Sequence, residues 1–178
     1  AKRQRMYSGP SSSSSTNSVG FSTSWYDPHQ KDYTKLRRWD YVNCTETGEG
    51  QRVGMQLQES MPGMECTNIA RIHHPLLWRK FLVRQDALAV KLGGDSNTLR
   101  LWHGTRETNP SEILRSELGL TSHMSSGGFY GKGTYFAEHA RYSNGDENSG
   151  YIHVNSQSGE REIFLVLVAV GRSKEFQQ

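Results

Sequence analysis

The chain has 178 residues, enough for one domain and a tail and too few for two ordinary domains. Hydrophobic residues make up 34%, the mean hydropathy is −0.74, and the longest apolar run, Ile163–Val170, is far shorter than the ~20 residues that cross a bilayer, so no membrane partner is expected. The net charge of +3 is small: the basic clusters at Lys2, Arg3 and Arg5, at Lys35, Arg37 and Arg38, and at Arg79, Lys80 and Arg84 could touch nucleic acid or another anion, but they read as solvated surface because no binding module accompanies them. Cys44 and Cys66 are the only cysteines, too few for a disulfide framework, which points to an intracellular location, cytoplasmic or nuclear. Cys66 stands near His73 and His74, yet neither C-x2-C nor H-x3-H spacing is present, so no metal site is expected. No secretory leader opens the sequence, and its first residue is Ala rather than Met, which fits a piece of a longer protein.

In chain order, residues 1–24 come first, with five consecutive serines at Ser11–Ser15 and almost nothing apolar to set against the entropy of ordering them. They read as a disordered tail ahead of a domain spanning 25–178. Lys35–Asn43 suits a short helix or a strand, and Gly48–Gly50 a turn. The alternation of Val53, Met55 and Leu57 within Arg52–Gln58 predicts a half-buried strand that Met61-Pro-Gly63 ends. Pro75 suits the first turn of a helix; Leu77, Phe81 and Leu88 recur at helical spacing, and Gly93-Gly94 closes it. Thr98–His103 alternates again, so Leu99 and Leu101 share a face and His103 ends a strand. Asn109-Pro-Ser-Glu112 is close to a capping box and starts a short helix that stops near Gly119. After a Ser125–Gly128 loop and the apolar Thr134–Ala137, Glu138–Ser143 looks helical, Asn144–Gly150 is a polar loop, and Glu162–Val170 is a buried strand.

Two pieces suit a site better than a core. Leu101-Trp-His-Gly-Thr105 puts His-Gly where a strand stops, so an imidazole can face a ligand while glycine lets the main chain approach it. Phe129-Tyr-Gly-Lys-Gly-Thr-Tyr-Phe-Ala137 sets two glycines among aromatics. Either alone is weak, since a Gly-x-Gly beside aromatics is often a tight turn over a core. In this order and with this filling, followed by Tyr142-Ser143, they resemble the catalytic domain of the poly(ADP-ribose) polymerase family. Ile69–Trp78 resembles the helix before that family's first NAD-binding strand, and the likeness spans about residues 65–171. It is closer to the mono-ADP-ribosylating members, which lack an extra helical regulatory domain.

The resemblance implies an α+β fold, the ADP-ribosyltransferase-like arrangement of antiparallel or mixed sheets with short flanking helices. It also implies NAD as co-substrate and a protein or other macromolecular acceptor. By position, His103 holds a ribose hydroxyl, Gly104 holds the nicotinamide carboxamide through its main-chain N–H and C=O, and Ser143 offers its hydroxyl to the same group. Tyr135 stacks on the cationic nicotinamide, Phe136 and Ala137 belong to the same binding segment, and Thr105 and Arg106 face the adenosine side or the pyrophosphate. Tyr151 is the candidate for the opposite aromatic wall, with Tyr142 as the alternative. His103 and Tyr135 are the catalytic candidates. Elongating members use a further Glu on a later strand, and the sequence stops before that position; Glu160 and Glu162 precede the wrong strand to replace it. The apolar Ile163–Val170 predicts a strand buried on both faces and central in its sheet, with the last strands of the domain beyond the sequence. The expected function is NAD-dependent ADP-ribosyl transfer with release of nicotinamide. The alternative is a non-catalytic module of the same fold within a larger assembly.

Overall fold

The computed structural model describes residues 39–121, 131–145 and 150–174. The Ser-rich stretch 1–24, the Ser125–Gly128 loop and residues 146–149 of the polar loop lie outside the described residues. In chain order the elements are β1 (Asp40–Asn43), α1 (Gly48–Ser60), β2 (Ala70–His73), α2 (Pro75–Leu92), β3 (Thr98–His103), α3 (Pro110–Arg115), α4 (Ala140–Asn144), β4 (His153–Val154), β5 (Arg161–Glu162) and β6 (Phe164–Ala169). The strands pair as β1 with β2, β3 with β6 and β4 with β5, all antiparallel. This is the expected α+β class: short helices beside small antiparallel sheets.

Arg52–Gln58 is helical, not a strand. Thr47 caps α1: its Oγ1 accepts the Gly50 N–H at 3.1 Å and donates to the Cys44 carbonyl at 2.6 Å, and Glu49 places a negative charge in the first turn. Val53, Leu57 and Met61 then fall at i, i+4 and i+8 and turn to the core, while Met55, the middle member of the apparent alternation, is 58% exposed. The period-two reading failed because Val53 and Leu57 fit both periods, and only Met55 distinguished them. Gly48–Gly50 is the first turn of this helix rather than a loop. Gly50 is needed there because a Cβ would lie 1.9 Å from the Cys44 carbonyl oxygen. Ala70–His73, which the resemblance placed in a helix, is the strand β2, because it pairs with β1 through Asn43 and Ala70 at one end and Asp40 and His73 at the other, and the helix begins only at Pro75.

α2 follows the expected signals. Pro75 opens it, His74 caps it by accepting the Leu77 N–H on Nδ1 at 3.3 Å, and Gly93 ends it in the left-handed conformation at φ +84°. α3 is capped by Asn109, whose Oδ1 accepts the Ser111 N–H at 2.9 Å. The central cluster is Met61, Trp102 and Ala140, packed by Val53, Leu57, Met64, Ile163 and Leu165. It joins α1, β3, α4 and the start of β6.

The last strand departs from expectation. Ile163 separates β5 from β6, and all six residues of β6 are half-buried rather than buried. Among the described residues β6 has one ladder partner, β3, in register from Thr98↔Ala169 to His103↔Phe164. All six residues of β6 also line a hollow of about 720 Å³ whose other walls include Val53, Ile72, Trp78, Phe81 and Trp102. His103, Gly104, Tyr135 and Ser143 do not line that hollow, but Phe136 of the same candidate segment does.

Candidate functional site

Trp102 and Ala137 exchange both main-chain hydrogen bonds, at 2.7 and 2.9 Å. A strand residue points its N–H and C=O to the same edge, so this pair lies along the edge of β3 opposite β6. The two motifs, separated by about thirty residues of sequence, are thereby joined side by side.

His103 ends β3. Its Nδ1 lies 2.7 Å from the Tyr135 carbonyl oxygen, and since a carbonyl only accepts, Nδ1 carries the proton. Burial pushes the imidazole below its usual value, against the opposing pull of that hydrogen bond. The neutral ring therefore presents Nε2 as an acceptor. The Phe136 ring lies against it, centroids 5.4 Å apart. The Tyr135 hydroxyl donates to the Gly131 carbonyl at 2.6 Å, which pins this side chain across its own glycine turn.

Gly104 follows His103 and admits no other residue. A Cβ there would lie 2.2 Å from the Tyr151 carbonyl oxygen and 2.5 Å from its carbon. Neither main-chain polar group of Gly104 bonds to a described residue. Ser143, in α4, is 4% exposed, and its hydroxyl likewise makes no hydrogen bond to a described residue. Polar groups left without a protein partner in this way remain open to a ligand. The Ser143 carbonyl accepts the Tyr151 N–H at 2.7 Å, and the Tyr151 main chain lies close against Gly104.

Tyr151, 45% exposed, stacks on Tyr142 with centroids 6.2 Å apart and planes 22° apart. Both aromatic candidates thus occupy one place. The Arg106 guanidinium lies 5.8 Å from the Tyr151 centroid. Thr105 engages its own turn, its Oγ1 donating to the Thr108 carbonyl at 2.6 Å. Ala137 contributes its main chain to the Trp102 pairing. Sequence reasoning missed His153, whose Nδ1 lies 2.8 Å from the Arg106 carbonyl oxygen; it carries no motif and no periodic signal.

Residues 49–178 match the poly(ADP-ribose) polymerase catalytic domain, and that stretch contains every one of these residues. The chain belongs to that family. Its fold is the ADP-ribosyltransferase fold of that domain. It is 34% identical over 125 residues to a protein of Dictyostelium discoideum named probable poly [ADP-ribose] polymerase, covering 68% of this chain and 36% of that protein. It is 27% identical over 123 residues to the protein mono-ADP-ribosyltransferase PARP14 of Homo sapiens, covering 69% and 7% of the two chains. It is also 27% identical over 153 residues to the protein mono-ADP-ribosyltransferase PARP3 of Mus musculus, covering 83% and 26%. The matched region thus spans between 7% and 36% of the length of these curated relatives.

Proposed function

We infer that the chain binds NAD where β3 meets the Gly131–Ala137 segment and carries out mono-ADP-ribosylation of a protein or other macromolecular acceptor. The observation that carries this reading is the arrangement of unused polar groups. Gly104 offers a main-chain N–H and C=O, and Ser143 a hydroxyl, with the Tyr151 main chain bonded to Ser143 and lying close against Gly104. A carboxamide is both donor and acceptor, so it is the kind of group that satisfies such a set. His103, neutral with its proton held on Nδ1, leaves Nε2 to accept from a ribose hydroxyl. Tyr135 supplies an aromatic face for a cationic ring, a contact of about 0.5–2 kcal/mol.

The chemistry NAD supplies is a nicotinamide that leaves with the glycosidic electron pair, its place being taken by an acceptor nucleophile that loses its proton. Nicotinamide leaves readily once polarised, so the residues serve mainly to orient the substrate, exclude water and stabilise developing charge. The names of two relatives, both protein mono-ADP-ribosyltransferases, favour single transfer.

Calorimetry with benzamide, which keeps the carboxamide and the ring, tests the site. Incubation with labelled NAD and intact-mass measurement tests the reaction. The expected result is saturable benzamide binding and label corresponding to single ADP-ribose units, with the label lost in His103→Ala. Binding without transfer would assign the non-catalytic reading, and no binding would remove the NAD-site reading and leave only a structural module.

A further inference from the structure

Residues 150–153 lie across the His103–Arg106 turn and are tied to it by contacts that no regular element requires. The Arg106 N–H donates to the Tyr151 carbonyl at 2.7 Å, and the Arg106 carbonyl accepts from His153 Nδ1–H at 2.8 Å. Arg106 is held at φ +53°, in the left-handed region that a side chain other than Gly, Asn or Asp rarely occupies. Such a conformation persists only where surrounding contacts hold it. Here both of its main-chain polar groups are engaged by the same neighbouring segment. Tyr151 is also held at both ends, its N–H bonded to the Ser143 carbonyl and its C=O to Arg106. Its backbone position follows from these bonds. The hairpin that carries His153 is too short to do this alone, because β4 and β5 pair over only two residues each.

We propose that His153 is a positioning residue: by bonding the Arg106 carbonyl it braces the Gly104–Arg106 turn against Tyr151 and sets the spacing of the carboxamide-binding groups. The proposal rests on the NAD-site reading given above.

The test compares His153→Ala, which removes the donor, with His153→Asn, whose side-chain amide N–H can occupy the place of Nδ1–H. Benzamide affinity is read by calorimetry and the exchange rate of the Arg106 amide by NMR. His153→Ala should weaken benzamide binding about 3- to 10-fold, the cost of one lost hydrogen bond, and should speed Arg106 exchange by a similar factor. His153→Asn should restore both to within about twofold of the parent chain. A merely structural role would not give matched loss and rescue of the two readouts at unchanged melting temperature. Equal affinity in His153→Ala, whether or not exchange accelerates, overturns the positioning role. So does an Asn variant no better than the Ala variant. If the parent chain itself does not bind benzamide, the NAD-site reading falls and the positioning role falls with it; failure in the variants alone overturns only this proposal.

Discussion

A methyl group added at residue 104 would place a carbon 2.2 Å from the Tyr151 carbonyl oxygen and 2.9 Å from the Ile152 nitrogen. All the atoms in its way are main chain, so no rotamer change relieves the clash. Gly104→Ala should lower stability by on the order of 1–3 kcal/mol, as overpacking does, and abolish benzamide binding because residues 150–152 must shift. A variant that melts and binds as the parent does would show that this closeness is unimportant. At Tyr135 the side chain, not the space, is decisive. Tyr135→Ala should weaken benzamide binding by about 1–3 kcal/mol through lost stacking and burial, measurable by the same calorimetry. Glycine and tyrosine at these places were legible as motif residues. The reason Gly104 tolerates no Cβ was not, because Tyr151 lies 47 positions later and only the folded chain brings it there.

At the scale of elements, the termini carry more information than the periods. Thr47 both accepts from Gly50 N–H and donates to the Cys44 carbonyl, linking α1 to the turn that precedes it. Thr47→Ala should cost about 0.5–2 kcal/mol in urea unfolding, and Thr47→Ser should recover most of it; equal loss in both would assign the effect to the methyl group instead. The same reasoning explains which elements could be read. α2 has Pro75 at its start, Gly93 at its end and eighteen residues of helical spacing between them, so three signals agree. α1 was misread because its cap lies outside the window in which Val53, Met55 and Leu57 alternate, and a short apolar alternation satisfies either period. β2 has only four residues, and its strand identity depends on β1 lying beside it.

Across the whole molecule, the buried His74 and the half-buried His103 connect distant parts. His74 caps α2 through Nδ1 and donates from Nε2 to the Leu114 carbonyl of α3 at 3.1 Å, so the neutral tautomer fits both partners at once. Burial holds the pKa of His74 and of His103 below the usual 6.5. A depressed histidine pKa means the unfolded chain binds the proton more readily. These groups therefore leave stability unaffected above about pH 6.5 and remove it progressively as pH falls from there toward their folded values. The melting temperature should fall on acidification from pH 7.5 to 5.5, and the fall should be smaller in His74→Gln, which cannot titrate. An identical pH slope in that variant would exclude His74 as a source.

The sequence by itself determined the family likeness, the α+β class, the long helix α2, the strand β3 and the two motifs, because each rests on local spacing, caps or a short ordered set of residue types. It also placed His103 at a strand end and Ser143 in a short helix. Tertiary structure decided how these pieces meet: the Trp102–Ala137 pairing along one edge of β3, the Tyr151 main chain across Gly104, and the burial of Ser143. It also decided that α1 is a helix and that β6 is half-buried with one described neighbour. Burial and strand pairing depend on residues far apart in the chain. Local periodicity reports only which face of an element is apolar, not what covers it.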